Sequence, residues 1–238
     1  MLKKKGAMAI AFFDLDKTLL AVNSGSLWIR RELAVGHITR LQALRAGLWL
    51  ARYHLGFVAM QDALREAITH LQGTQVRLVR ERTTLFYEEL VRSQFRPGAL
   101  RALEEHRAAG DRLVLLTSSS DYMSELVARD LGLHAVLCNR FESDEAGLHT
   151  GRPLGEVCFG EGKRFYVQTH AAEAGVPLSE CTFYTDSYSD LPALEVVGRP
   201  VAVHPDRRLR REALRRGWPV VDWGVPTSTL ASAGMPSP

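Results

Sequence analysis

Cysteine is scarce: Cys138, Cys158 and Cys181 are the only three in 238 residues. They show no C-x-x-C spacing and offer no disulfide framework, so a reducing compartment suits the chain best. No uninterrupted apolar stretch approaches the roughly 20 residues that a spanning helix needs. The basic start, residues 1–6, leads into an apolar run that meets Asp14 too soon for a signal peptide. The expectation is a cytoplasmic protein with no stable membrane insertion. Charge excess is lacking too. A net charge of +3 is too small to argue for a nucleic-acid partner. The eight histidines are scattered without paired metal spacing, which argues against zinc. Proline is missing from residues 21–95, where helices can therefore run without a breaker.

What is present is an ordinary apolar share of 46%, enough for one α/β domain plus an insertion. Residues 8–13 form a short apolar run that reads as a strand buried on both faces. It ends abruptly in Asp14 and Asp16. Two carboxylates at the end of a buried strand repel each other unless a cation or hydrogen bonds compensate. Further apolar strands are expected at 112–116, 135–138, 181–185 and 200–203, alternating with helices at 100–109, 121–131 and 163–174. That alternation predicts βαβ units and a doubly wound parallel sheet. Residues 141–153 read as a hairpin or loop. Between the first two strands, Leu41, Leu44, Leu48, Leu64, Ile68, Leu71, Leu85 and Leu90 recur at helical spacing. The expected division is a discontinuous core, 1–20 and 97–225, with a helical cap inserted at 21–96 and a Ser/Pro/Gly-rich tail at 226–238.

In an open parallel sheet the carboxyl ends of the strands line one crevice. Asp14, Asp16, Thr117 and Asp186 each follow an apolar strand, so they are expected to converge.

These residues carry a resemblance. Asp14-Leu15-Asp16-Lys17-Thr18 resembles the D-x-D-x-T motif of the haloacid dehalogenase superfamily of phosphohydrolases. Thr117 is similar to the second motif of that superfamily, Lys163 to the third, and Asp186-Ser187-Tyr188-Ser189-Asp190 to the fourth. Order and spacing agree over residues 9–223. The inserted helices resemble the cap of the subgroup that holds phosphoserine phosphatases and some histidinol-phosphate phosphatases. The resemblance implies Mg²⁺ held by Asp14, Asp186 and Asp16, the last through its backbone carbonyl. Such a hard cation takes one or two carboxylates plus water and phosphate oxygens. It implies further that Asp14 attacks the phosphate and that Asp16 serves as acid and then base. Lys163, Thr117 and Ser118 hold phosphoryl oxygens, Thr18 shapes the loop, and Asp190 orients Lys163 or a metal-bound water.

The partner so implied is a small phosphate ester; the oligomeric state stays open. In the phosphoserine branch an acidic cap residue follows the nucleophile by nine positions; here Asn23 stands there. No arginine matches the one that meets the substrate carboxylate, Arg65 being in loose register. The expected substrate is therefore histidinol phosphate, with phosphoserine or a lipid phosphate as alternatives. Asn23, Ser24, Ser26 and Trp28 are candidates for the pocket wall, although Trp28 suits a core position equally.

Competing patterns exist. Cys158 and Arg164 match C-x5-R, the thiolate loop of cysteine-dependent phosphatases. Gly160-Glu161-Gly162-Lys163 lacks the first glycine of a P-loop and its following Ser or Thr. Arginines 207, 208, 210, 211, 215 and 216 could bind nucleic acid or anionic lipid, or form the solvent face of an amphipathic helix carrying Leu209, Ala213, Leu214 and Trp218. Residues 48–60 could touch a membrane, or pack as a core helix.

Overall fold

The computed structural model describes residues 9–36, 39–41, 44, 69 and 71–226. The expectations for Leu48, Leu64, Ile68, Arg65, the apolar stretch 47–60 and the tail beyond 226 lie outside them.

Strand β1 (Ile10–Phe13) is the centre. All four residues are buried, and both edges are paired in parallel, to β2 (Arg112–Ser120) and β5 (Cys181–Thr185). Strand alternation sends Ile10 and Phe12 to one face of the sheet and Ala11 and Phe13 to the other. Each pair joins a separate apolar layer. The full order is β4-β3-β2-β1-β5-β6-β7, with β3 at Ala135–Ser143, β4 at His149–Leu154, β6 at Arg199–Val203 and β7 at Val220–Val221. Every pairing is parallel except β3 with β4. The chain winds from β1 out to β4, then returns to β5 on the other side of β1. Such a reversal opens a crevice at the carboxyl ends of the central strands.

Helices cover both faces. Helix α1 spans Ser24–Ala34 and α2 spans Val76–Phe86. Helix α3 (Pro97–Ala109) opens on a proline, whose missing N–H costs nothing at a helix start. It closes on Gly110 at φ 82°, a left-handed position that glycine enters without steric cost. Helices α4 (Asp121–Leu131), α5 (Glu161–Glu173), α6 (Leu191–Leu194) and α7 (Arg207–Arg216) complete the fold. No helix among the described residues is long and apolar enough to cross a membrane.

Several local readings change. Strand β2 runs past Leu116 to Ser120, because backbone pairing to β3 continues beneath polar side chains. Strand β3 is nine residues long, since it leaves the sheet to form the hairpin with β4. Leu85 is 54% exposed; the buried face of α2 and its continuation runs through Thr83, Phe86, Tyr87 and Val91. On α7, Leu209 and Ala213 are buried but Leu214 is exposed. Of the arginines on α7, Arg215 and Arg216 pair with Glu212, Arg216 reaches Glu195, and Arg208 lies over the Tyr188 ring. That helix is anchored on the protein, with Asp206 as its N-cap.

Candidate active site

The chain leaves β1 through one wide turn. The N–H of Leu19 donates to the Asp14 carbonyl and that of Leu20 to the Leu15 carbonyl, five residues back in each case, a geometry frequent at functional sites. Lys17 takes φ 57° inside this turn. The turn aims Asp14 and Asp16 into a cavity of about 250 Å³ that Thr117, Ser118, Lys163, Asp186 and Asp190 also line. Thus the strand ends converge as the sheet order requires.

Lys163 is buried, and its Nζ donates to Asp14 Oδ1 and Asp190 Oδ2, each at 2.7 Å. Burial alone would lower its pKa, but the two carboxylates outweigh that and hold it protonated. Helix α5 brings Lys163 in because two glycines precede it. Gly160 takes φ 54°, and any side chain on Gly162 would strike the Val157 carbonyl. Asp190 also accepts from Thr185 Oγ1 at 2.6 Å, so both partners of its Oδ2 are fixed. Thr185 was not foreseen. Its only signal is its place, closing an apolar strand directly before Asp186.

Burial raises Asp14 to about 7 against the opposing pull of Lys163, and Asp190 adds to the rise. Asp16 is also raised, by desolvation, although the Ser24 N–H donates to it at 2.8 Å. Asp186 is raised by burial and by the charges of Asp14 and Asp190, and its carboxylate accepts no hydrogen bond among the described residues. The negative charge here is under-compensated. Two buried carboxylates facing one cavity, Asp14 and Asp186 with Asp16 beside them, form an oxygen donor set of the kind that suits a hard cation. No three His, Cys, Asp or Glu side chains among the described residues form a metal cage by themselves. A cage is not needed by an ion that keeps water and phosphate as ligands.

Thr18 donates to Asp14 Oδ2 at 3.4 Å, bracing the turn. Thr117 Oγ1 accepts from the Ser119 N–H, which leaves its own proton without an acceptor among the described residues. The Ser118 hydroxyl is instead committed to the Cys158 carbonyl at 2.8 Å. Asn23 lines the cavity but is the N-cap of α1: its Oδ1 accepts from the Ser26 N–H and Oγ, and its Nδ2 reaches Asp16 at 3.4 Å. Trp28 and Ser26 are not among the lining residues. The Trp28 ring meets Phe86 edge-on at 5.0 Å and lies beneath Arg82, so it packs α1 on α2. Ser120 occupies the N-cap position of α4 without a side-chain capping bond.

The thiolate alternative fails on physics. Cys158 is fully buried, and burial raises its thiol far above the ordinary value. Its N–H donates to Asn139 Oδ1, its Sγ to the Leu137 carbonyl, and Arg164 faces Glu161. A larger groove of about 820 Å³ runs along α3 and α4, lined by Leu100, Arg101, Glu104, Arg129 and neighbours. It gathers none of the convergent carboxylates.

Comparison with known proteins gives one consistent result. The model of the haloacid dehalogenase-like hydrolases matches residues 11–195. A phosphoserine phosphatase of Mycobacterium tuberculosis is 33% identical over 234 residues, covering 96% of this chain and 75% of its own. A histidinol-phosphatase of Neisseria meningitidis is 28% identical, covering 90% and 98%. A solved structure of a Bordetella pertussis protein of unknown function superimposes with a TM-score of 0.83 at 30% identity, covering 92% and 100%.

Proposed function

The chain belongs to the haloacid dehalogenase-like hydrolases and is a phosphatase; we propose that it hydrolyses a small phosphate monoester through an aspartyl-phosphate on Asp14, with Mg²⁺ as cofactor. The observation that carries this reading is Lys163 held between Asp14 and Asp190 at the base of a cavity that Asp16, Thr117 and Asp186 share.

Lys163 draws the phosphoryl group in by charge and leaves Asp14 ionised as it does so. The Thr117 hydroxyl donates to a phosphoryl oxygen. Asp14 attacks phosphorus in line, forming the acyl-phosphate bond while the ester P–O bond breaks. Asp16, whose raised pKa supports a protonated start, gives its proton to the leaving alkoxide. The resulting carboxylate then takes a proton from water, which attacks phosphorus and frees Asp14 and inorganic phosphate. Asp14, Asp186 and the backbone carbonyl of Asp16 would hold Mg²⁺, which would supply neutralisation of the phosphate charge. We read residues 21–96 as a cap over this crevice that excludes water during turnover.

Serine and histidinol are the alcohols in the relatives' names. Asn23 in place of an acid, and the lack of a matched arginine, put histidinol phosphate first on sequence grounds. The Asn23 carbonyl is spent as a helix cap, so it is not free to receive a substrate amine.

The test is p-nitrophenyl phosphate turnover with Mg²⁺ or EDTA for the wild type, Asp14→Asn and Cys158→Ser. Turnover lost with EDTA and in Asp14→Asn but kept in Cys158→Ser is expected. Metal-independent turnover lost only in Cys158→Ser would overturn the reading.

A further inference from the structure

Resting on the phosphomonoesterase reading, we propose that Lys17 is a specificity-determining residue, and that it selects phosphate esters whose alcohol part carries a carboxylate. Two lysines line the cavity, Lys17 and Lys163. Lys163 is buried at the base and bound to two carboxylates. Lys17 is exposed and makes no ion pair or side-chain hydrogen bond among the described residues. It directly follows Asp16, the acid proposed to face the leaving group, and lines the same cavity.

The backbone of Lys17 is fixed although its side chain is not. Its N–H donates to the Val22 carbonyl at 3.0 Å, and its carbonyl accepts from Nε of the buried Arg96 at 3.2 Å. It holds φ 57°, a left-handed conformation that is costly for a residue with a Cβ. A glycine would occupy this turn without that cost. The turn therefore presents to the cavity an ammonium without a hydrogen-bond partner among the described residues, whose charge Asp16 and Asp186 feel, at the expense of local strain.

Among the described residues, the groups next to Lys17 on Asp16 and at the start of α1 are already engaged. The neutral acceptor Asn23 Oδ1 already takes two hydrogen bonds, and Asp16 is engaged by Ser24 and Asn23. An amine on the leaving group would meet Lys17 as a like charge, and a carboxylate would meet it as a partner. This turns the substrate away from histidinol phosphate toward a phosphorylated hydroxy acid.

The experiment is a charge ladder. Values of kcat/KM are measured with Mg²⁺ for 3-phosphoglycerate, glycerol 3-phosphate and histidinol phosphate, on wild type, Lys17→Met and Lys17→Arg. All three variants carry a Cβ, so backbone strain is common to them. The wild type should prefer the carboxylate ester over its neutral analogue by roughly two- to fivefold, the scale of one exposed ion pair. Lys17→Met should flatten the ladder, Lys17→Arg should restore it, and added salt should compress it. Turnover with no charge order in the wild type, or a Lys17→Met loss equal for all three esters, overturns the proposal alone. No turnover of these esters or of p-nitrophenyl phosphate overturns the phosphomonoesterase reading and the proposal together.

Discussion

Two polar clusters flank the end of β1, one partly buried and one buried, and they differ in whether each polar group finds its partner inside the cluster. On one side His106 bridges Asp111 Oδ2 at 2.7 Å and the Tyr184 hydroxyl at 2.9 Å. Each ring nitrogen has one partner, so the carboxylate and the phenol are both satisfied within the cluster. Tyr184 stacks on Phe13 at 4.9 Å and seals it. On the other side Asp14, Asp16, Asp186 and Asp190 share one buried cation, Lys163. A closed network rigidifies a core. An open one, with carboxylates in surplus, keeps capacity for a cation and a substrate; burial first, and for Asp14 and Asp186 the neighbouring carboxylates as well, raise its carboxyl pKa values.

The comparison breaks most readily at Asp14. Asp14→Asn should lower kcat by roughly 10³-fold or more, because the nucleophile is lost. It should not unfold the protein, since the amide removes one of the crowded charges. Next in size is Lys163→Met. It strands Asp14 and Asp190 without a cation, which costs about 3–5 kcal/mol of stability. The sign with pH follows from linkage. Carboxyls raised in the folded state bind protons that the unfolded state has released, so stability falls as pH climbs from the ordinary carboxyl range to the raised value. Chemical denaturation should therefore show a larger Lys163→Met penalty at pH 8 than at pH 5.

How far this imbalance could be read in advance depends on what sets each residue's position. Asp14, Asp16, Thr117 and Asp186 were legible because strand ends converge in any doubly wound sheet, whatever the side chains. The Lys163 grip on both Asp14 and Asp190 was half legible, since helix α5 must arrive at the right height. Lys17 was not legible as a free cation, because its exposure depends on the handedness of one turn. Trp28 was ambiguous between pocket and core, for a helix face is fixed only by its neighbours, here Phe86 and Arg82. Strand β7, two residues long, is too short for any periodicity.

Metal sharpens the contrast without catalysis. Burial lifts Asp14 to about 7, and Asp186 is raised as well, so the metal-free protein loses stability as pH rises through that range. On the proposed reading, Mg²⁺ would compete with those protons and bind best once they have left. At about a hundred times its Kd it should contribute about 2.7 kcal/mol, roughly 5–10 °C in Tm for a chain of this size. The shift should be present at pH 8 and largely gone at pH 5. Asp186→Asn should abolish the response while making the metal-free protein more stable at pH 8. A shift of equal size at both pH values would break the link between carboxylate surplus and metal.

The smallest expected effect lies in the balanced cluster. His106→Leu leaves the Asp111 carboxylate and the Tyr184 hydroxyl without their shared partner, which costs about 1–3 kcal/mol. Because that cluster carries no surplus charge toward the cavity, the Mg²⁺ shift at pH 8 should match the wild type, and kcat should move by less than about twofold. The two clusters share strand β5 but no side chain. The stability changes of His106→Leu and Asp186→Asn should therefore add to within about 0.5 kcal/mol in the double variant. Coupling well beyond that would mean β5 transmits strain from Tyr184 to Asp186. The balanced network would then hold the carboxylates in place, and its own variants should lower the Mg²⁺ response in proportion.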